Sequence, residues 1–256
     1  MENNQNNQNY QEYQSANMRK ISAESDCLHL GMGWTFEDLS KLHVMIQSSY
    51  GESHPGSSHL MQLSNSVRDG VIESGARPAM FAVTDMCDGV AQGSQGNNYS
   101  LPSREFIASM IEIQARATLC DGIVLIASCD KSIPAHLLAA ARLNIPAVFM
   151  PGGVMSAGAS DPDFLSCDAM WELRRAVRSG ELTQDNFLRL SACACPTQGA
   201  CQQFGTAGTM QAMTEALGMS LPGTSLIPVS NMAIHRACRA AGAQIKYLIE
   251  KIYSNG

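Results

Sequence analysis

Basic residues are scarce in this chain: 17 Lys and Arg stand against 23 Asp and Glu, giving a net charge of -6 and a pI near 5.5. A nucleic-acid backbone needs clustered cations, and no such cluster occurs, so no nucleic-acid partner is expected. Long apolar runs are missing as well. None approaches the roughly 20 residues that span a bilayer, and the N-terminus is rich in amides instead of carrying a basic segment followed by an apolar one. No membrane partner is expected, and the predicted location is cytoplasmic. Nine cysteines without a secretion leader is an odd number, which speaks against a disulfide scaffold and for buried, catalytic or ligating thiols in a reducing compartment. There is no internal repeat, and Gly89, Gly93 and Gly96 lack the spacing of a dinucleotide loop.

What is present is a globular composition. With 256 residues and 45% apolar content the chain can bury a core as one large α/β domain or two small ones, and its 15 methionines read as core filler. Residues 1–17 have almost no aliphatic side chains and cannot offset the entropy of ordering. They are predicted to be a disordered tail, with residues 18–256 forming the folded part. Leu42–Ile46 predicts a first strand, followed by a loop over Gly51–Ser58. A helix then carries Leu60, Leu63, Val67 and Val71 on one face, with Ser57 or Ser58 as cap and Gly75 as terminator. Pro78–Val83, Gly122–Ala127 and Pro146–Met150 read as strands, and Pro134–Leu143 as the helix joining the last two. A helix opening near Pro102 and Ser103 has Phe106, Ile107, Met110 and Ile111 as its apolar stripe. Pro162–Arg178, Thr183–Leu190, a segment reaching Met219 opened by the cysteine-rich loop Cys193–Cys201, and Met232–Tyr253 are predicted helical. Alternating strands and helices predict a three-layer α/β/α domain with a mainly parallel sheet.

Cys129-Asp130-Lys131 follows the apolar run Gly122–Ala127 where such a strand ends. In open parallel sheets ligands bind beyond the carboxyl ends of the strands, so a thiol, a carboxylate and an amine there form a candidate reaction centre. Soft sulfur suits iron or zinc, and hard oxygen suits magnesium. Cys87-Asp88-Gly89 stands in the same relation to Pro78–Val83, which gives one crevice two acidic, thiol-bearing strand ends. Read alone, Asp88 and Asp130 are turn or cap residues and Lys131 is their ion-pair partner. A thiol beside Asp and Lys is nevertheless costly to bury without a task. Cys201, at the expected start of a helix, gains from amide dipoles that favour a thiolate. Cys27, Cys120, Cys167 and Cys238 lie in apolar or helical surroundings and read as structural. His54 and His59 flank a Pro-Gly loop and face either a ligand or solvent. A thiol enzyme built on Cys129 and His136 lacks an orienting third group and an oxyanion site.

Asp85-Met86-Cys87-Asp88-Gly89-Val90-Ala91-Gln92-Gly93, Tyr99-Ser100-Leu101-Pro102-Ser103-Arg104-Glu105, Cys129-Asp130-Lys131 and Arg142-Leu143-Asn144-Ile145-Pro146-Ala147 together resemble the dihydroxy-acid and sugar-acid dehydratases, which include 6-phosphogluconate dehydratase. Gly199-Ala200-Cys201, Gly205-Thr206-Ala207 and the run from Glu215 to Gly223 are similar to that family's second cysteine motif and the helix behind it. The resemblance implies a hydro-lyase, or its N-terminal subunit, that dehydrates a 2,3-dihydroxy acid or sugar acid to a 2-keto acid. It implies an iron-sulfur cluster as Lewis acid on the departing hydroxyl, and Mg2+ stabilising the enolate. Position by position, Cys129 and Cys201 are implied cluster ligands, and Asp88 and Asp130 implied magnesium ligands. Lys131 matches a lysine that is carbamylated in some members, which implies both a magnesium ligand and a catalytic residue.

Two departures qualify the match. Where many members have a Pro-Cys-Asn loop with a third cysteine ligand, this chain reads His54-Pro55-Gly56-Ser57-Ser58-His59, and Gly56 cannot bind iron. Members with Pro-Gly there are associated with a four-iron cluster, so 4Fe-4S is favoured over 2Fe-2S, and the third ligand is one of Cys195, Cys193 and Cys87. The family's usual chain is also longer, and its further half carries a glutamate ligand for magnesium and a serine base without counterparts here. The implied partners are therefore a small-molecule acid and either a second copy or a complementary chain. The alternative is a non-catalytic metal-binding or regulatory subunit, or a truncated relative. Leu143-Asn144-Ile145-Pro146 leans toward the branched-chain dihydroxy-acid members and the run from Leu221 to Pro228 toward the sugar-acid members.

Overall fold

The computed structural model describes residues 12–160 and 163–254. Three short helices come first: α1 (Gln14–Ile21), α2 (Asp26–Gly31) and α3 (Phe36–Ser40). Gln14–Asn17 thus form a helical turn where composition predicts a disordered tail, while residues 1–11 lie outside the described residues. The reason is a tertiary contact. The fully buried Asp121 carboxylate accepts hydrogen bonds from Ser15 N at 2.9 Å, Ser15 Oγ at 2.7 Å and His43 N at 2.8 Å. Tyr13 also packs on Tyr253 with ring centroids 5.0 Å apart. Charge-assisted bonds of this kind hold a segment that its own composition would not.

Four strands, β1 (His43–Ser49), β2 (Arg77–Val83), β3 (Gly122–Ala127) and β4 (Ala147–Pro151), form one sheet in the order β2-β1-β3-β4, every neighbouring pair parallel. Between them run α4 (Leu60–Glu73), α5 (Asp88–Ala91), α6 (Ser100–Thr118) and α7 (Ser132–Leu143). After β4 come an antiparallel ribbon of β5 (Gly158–Ser160) and β6 (Asp163–Leu165), then α8 (Ala169–Ser179), α9 (Gln184–Ala194), α10 (Thr206–Ala216) and α11 (Ala233–Ser254).

Both faces of the sheet are apolar, as a parallel sheet requires. Val44, Ile46, Val124, Ile126, Val148 and Met150 share one core with α4 and α11. Met45, Ile123, Leu125 and Phe149 share the other with α6 and α7. The result is the three-layer α/β/α domain that the alternation of elements predicts. In one outer layer the backbones of α4 and α11 touch: a Cβ on Gly70 would lie 2.1 Å from the Arg239 carbonyl oxygen, and one on Gly242 would lie 2.3 Å from that of Val67. No helix among the described residues is long and apolar enough to cross a membrane.

Three local expectations need correction. Asp163–Leu165 is a strand and the following helix begins only at Ala169, because the segment pairs with Gly158–Ser160 against the end of α9. The ribbon leaves no room for a side chain at Gly158, whose Cβ would lie 2.3 Å from the Cys193 carbonyl oxygen. The buried side of α6 is Ile107, Ala108, Ile111 and Ala115, whereas Phe106 and Met110 are 76% and 52% exposed. Small alanines let that helix lie close to the sheet, and it carries more apolar residues than its inner face accommodates. Finally, α10 begins at Thr206, so Cys201 lies in a loop and not at a helix start.

Candidate metal centre

The chain leaves β1 toward β2 on one side and returns to β3 on the other, so a crevice opens above the carboxyl ends of these strands. It is a cleft of about 600 Å³ whose lining includes Cys87, Cys129, Cys167, Cys195, Cys201 and His54, together with Asp88 and Asp130.

The soft donors occupy two walls. On the first, His54 from the loop after β1, Cys87 after β2 and Cys129 after β3 each offer a ligand atom, all within 4.8 Å of one another. His54 is 4% exposed. Its Nε2 lies 3.1 Å from Asp85 Oδ1 and 3.1 Å from Ser57 Oγ, and because a carboxylate only accepts, Nε2 is the protonated nitrogen. Its Nδ1 is buried and has no hydrogen-bond partner among the described residues. Burial works against a charged imidazole here, but the bond to Asp85 and its charge prevail and raise the His54 pKa. Cys87 and Cys129 are hydrogen-bonded, and the proton is shared unequally. The bond from Cys129 pulls the Cys87 pKa down to about 6 against the effect of burial, helped by the Val90 and Gly89 amides and by His54. Cys129 is pushed well up by the same bond, by burial and by the charges of Asp85 and Asp130.

The second wall comes from far along the chain. Cys201 is carried on a loop fixed by backbone bonds from Gly199 N to Pro55 O (2.9 Å), from Ala200 N to Gly153 O (3.0 Å) and from Met155 N to Ala200 O (2.9 Å). Gly199 has φ +120° and a Cβ there would lie 2.5 Å from Met155 N, so only glycine permits this approach. Cys201 is hydrogen-bonded to Cys167, which lowers the pKa of Cys167 and raises that of Cys201. The Gln203 side-chain amide lies 2.8 Å from Cys167 Sγ. Cys167 thus belongs to the cleft, against the sequence reading of a structural thiol. Cys195 lines the cleft from the exposed end of α9, and Cys193 is exposed.

Hard donors stand beside the soft ones. Lys131 Nζ donates to Asp88 Oδ2 and Asp130 Oδ2, each at 2.8 Å, and Ser100 Oγ donates to Asp88 Oδ1 at 2.5 Å. Burial would lower the Lys131 pKa, but its bonds to Asp130 and Asp88 more than offset this and keep it an ammonium. The two carboxylates move apart. Desolvation outweighs the ammonium at the deeper Asp130 and raises its pKa, whereas at Asp88 the bonds from Lys131 and Ser100 overcome desolvation and lower it. Asp130 Oδ1 is buried with no hydrogen-bond partner among the described residues. An orphaned carboxylate oxygen next to a second carboxylate fits a hard divalent cation, and the facing thiols fit a soft one.

His136 takes no part in this cleft. It is fully buried, its Nδ1 donates to the Ser132 carbonyl at 2.7 Å, and it meets Phe149 edge-on. Burial pushes its pKa down to about 4. Unfolding exposes an imidazole of ordinary basicity, so the unfolded chain binds more protons below the ordinary value near 6.5. The contribution is intact above pH ~6.5 and is lost as pH falls to about 4, amounting to about 3 kcal/mol. Urea unfolding across that window should show wild type losing about 3 kcal/mol more than His136→Leu. Parallel curves would count against a neutral buried His136.

Comparison with known proteins adds the family context. The model of the family described as "Dihydroxy-acid/6-phosphogluconate dehydratase N-terminal" matches residues 41–255. A dihydroxy-acid dehydratase of Pyrococcus abyssi is 42% identical over 224 residues, covering 88% of this chain and 41% of that protein. Those of Pyrococcus furiosus and Caldanaerobacter subterraneus subsp. tengcongensis are each 41% identical, over 88% and 86% of this chain and 41% and 40% of theirs. The chain thus spans about two fifths of the length of these curated relatives.

Proposed function

The chain belongs to the dihydroxy-acid/6-phosphogluconate dehydratase family, and on that premise we propose that it forms the metal-binding part of a hydro-lyase site that converts a 2,3-dihydroxy acid to a 2-keto acid. The observation that carries this reading is the convergence, in one cleft, of thiols from separate parts of the chain with two carboxylates, one of which has an orphaned oxygen. Cys129, Cys201 and one further thiol, Cys195 among them, would hold an iron-sulfur cluster, and Asp88, Asp130 and, once carbamylated, Lys131 would hold Mg2+. Bound there, the pair would supply a Lewis acid for the leaving hydroxyl and charge stabilisation for the enolate. Gly56, in place of a cysteine ligand, favours the 4Fe-4S form.

The chain's own residues have definable tasks. Lys131 holds Asp88 and Asp130 together until a cation takes their charge, and carbamylation requires its ammonium first to lose a proton. Ser100 fixes Asp88 through Oδ1 and leaves Oδ2 to Lys131. The first relatives are named for dihydroxy acids, which favours a short dihydroxy acid over a sugar acid as substrate. No residue here is assigned the role of the base at carbon 2. Protein purified without oxygen should contain iron and acid-labile sulfide, and Cys129→Ser and Cys201→Ser should lose nearly all of both. A branched 2,3-dihydroxy acid should perturb the visible spectrum of the iron-loaded protein, and an aldonic acid should not. Iron-free wild-type protein would sink the proposal.

A further inference from the structure

We propose that the exposed face of α8 is a binding site for a doubly charged oxyanion of the phosphate type, held by Arg174 and Arg178 at the rim of the cleft. The proposal goes beyond the dehydratase reading and does not rest on it.

Trp171, Arg174, Arg175 and Arg178 follow one another at i, i+3, i+4 and i+7, so they share one face of α8, and all four are exposed. With Gln92, which follows α5, they line a depression of about 350 Å³. Small-molecule sites occupy roughly 300–1,000 Å³, so the space suits a small ligand. No carboxylate is part of that lining. Three of the chain's 17 Lys and Arg residues thus gather on one helix face of a protein whose net charge is -6. Arg174 and Arg178 stand at i and i+4, where like charges repel and cost stability unless an anion lies between them.

The three cations are not equally balanced. Arg175 Nη1 pairs with Glu172 at 2.8 Å. Arg174 is held by neutral partners instead: Nη1 donates to Gln184 Oε1 at 3.1 Å, and its guanidinium carbon lies 5.5 Å from the centre of the Phe187 ring. These contacts steady the side chain against α9 and leave its charge uncompensated. Arg178 makes no hydrogen bond, ion pair or ring contact among the described residues. Three guanidinium groups and one carboxylate leave a local charge of +2, which a dianion neutralises. Each guanidinium presents a fork of N–H donors that matches phosphate geometry, and a tetrahedral ion can offer one edge to each of two forks. The Gln92 amide adds a neutral donor from a separate element. Gln92 and Trp171 also line the cleft, so the two cavities share a rim. The oxyanion can therefore come from two sources, free inorganic phosphate or the phosphate group of a small ester whose remainder lies over Trp171 toward the cleft.

Trp171 is 48% exposed and serves as the reporter. Inorganic phosphate is titrated into the full chain at pH ~8.5, in EDTA, with chloride adjusted to hold the ionic strength constant. Tryptophan emission should change saturably, and Trp171→Phe should abolish the change. Arg178→Gln, which has no polar partner to lose, should weaken binding roughly 10-fold, and Arg174→Gln at least as much. Arg239→Gln removes a charge on α11 and should bind phosphate as wild type does. Glycerol 3-phosphate binding about tenfold more tightly than inorganic phosphate would support the site and identify an ester as its occupant. Equal or weaker binding of glycerol 3-phosphate, beside a saturable phosphate response, would support the site and identify the free ion. A wild-type response that chloride reproduces would overturn the proposal, and so would equal weakening in Arg178→Gln and Arg239→Gln, which reads net charge alone. A response absent in EDTA but present with Mg2+ would place the anion on a cation in the cleft and overturn it too.

Discussion

Gly70→Ala and Gly242→Ala are each expected to destabilise the protein by about 3 kcal/mol. A methyl group at residue 70 would sit 2.1 Å from a carbonyl oxygen of α11, and one at residue 242 would sit 2.3 Å from a carbonyl oxygen of α4. The obstructing atoms are helix backbone, so no rotamer change relieves the clash and the helices must separate. Separation opens gaps along Val67, Val71, Cys238, Ala241 and Ile245, which pack between these helices and the sheet. Overpacking ordinarily costs about 1–3 kcal/mol and more where the frame is rigid, and alanine regains only about 1 kcal/mol as a better helix former than glycine. A loss of about 3 kcal/mol should lower the thermal midpoint by roughly 6–12 °C. The double variant should cost less than the sum, because the first methyl group already forces the gap that the second needs. A single variant melting within roughly 2 °C of wild type would mean that the helix backbones do not touch here.

Lys131→Met should cost about 2 kcal/mol at pH 7, less than the roughly 3–5 kcal/mol for breaking a fully buried ion pair because the three side chains keep some access to water. Without the ammonium, the desolvated Asp130 takes up a proton more readily in the folded than in the unfolded chain. A carboxyl whose folded pKa is raised contributes stability at low pH and loses it as pH rises through that value. In wild type, Asp88 behaves in the opposite way: its lowered pKa gives stability above the ordinary value near 3.9, lost as pH falls. The gap between wild type and variant should therefore be widest at neutral pH and close toward pH ~4. Denaturant midpoints measured from pH 4 to 8 would show it, and a gap independent of pH would mean that the methionine acts by packing alone.

The parts of the molecule that were legible in the sequence are those where one local signal decides. Gly122–Ala127 and Ala147–Pro151 are apolar on both faces because both faces are covered, and Leu60, Leu63, Val67 and Val71 repeat at helical spacing above one core. The strand-end motifs were legible for the same reason, since Asp88 and Asp130 lie within a few residues of a recognisable strand. Where tertiary contacts decide, the sequence is silent. Nothing local marks Ser15 as the partner of Asp121, 106 residues away. Cys167 sits in a segment that reads as helix, and only the short ribbon before it carries its thiol to Cys201. His54 looks like a loop residue until the three strands are set side by side.

The position of α11 bears on how the protein is made. It covers the sheet face built by β1, β3 and β4 and pairs with α4, to which Arg239 reaches back 166 and 170 residues. On a ribosome every strand of the main sheet emerges before this helix does. At about 5–20 residues per second, the stretch from Pro151 to Ile234 takes roughly 4–17 s to synthesise. During that interval Val44, Ile46, Val124, Ile126, Val148 and Met150 have no helix from α11 above them, whatever the intrinsic speed of docking. Translation rate, more than folding rate, therefore sets how long the nascent chain offers an apolar surface to chaperones, proteases and its own neighbours on a polysome.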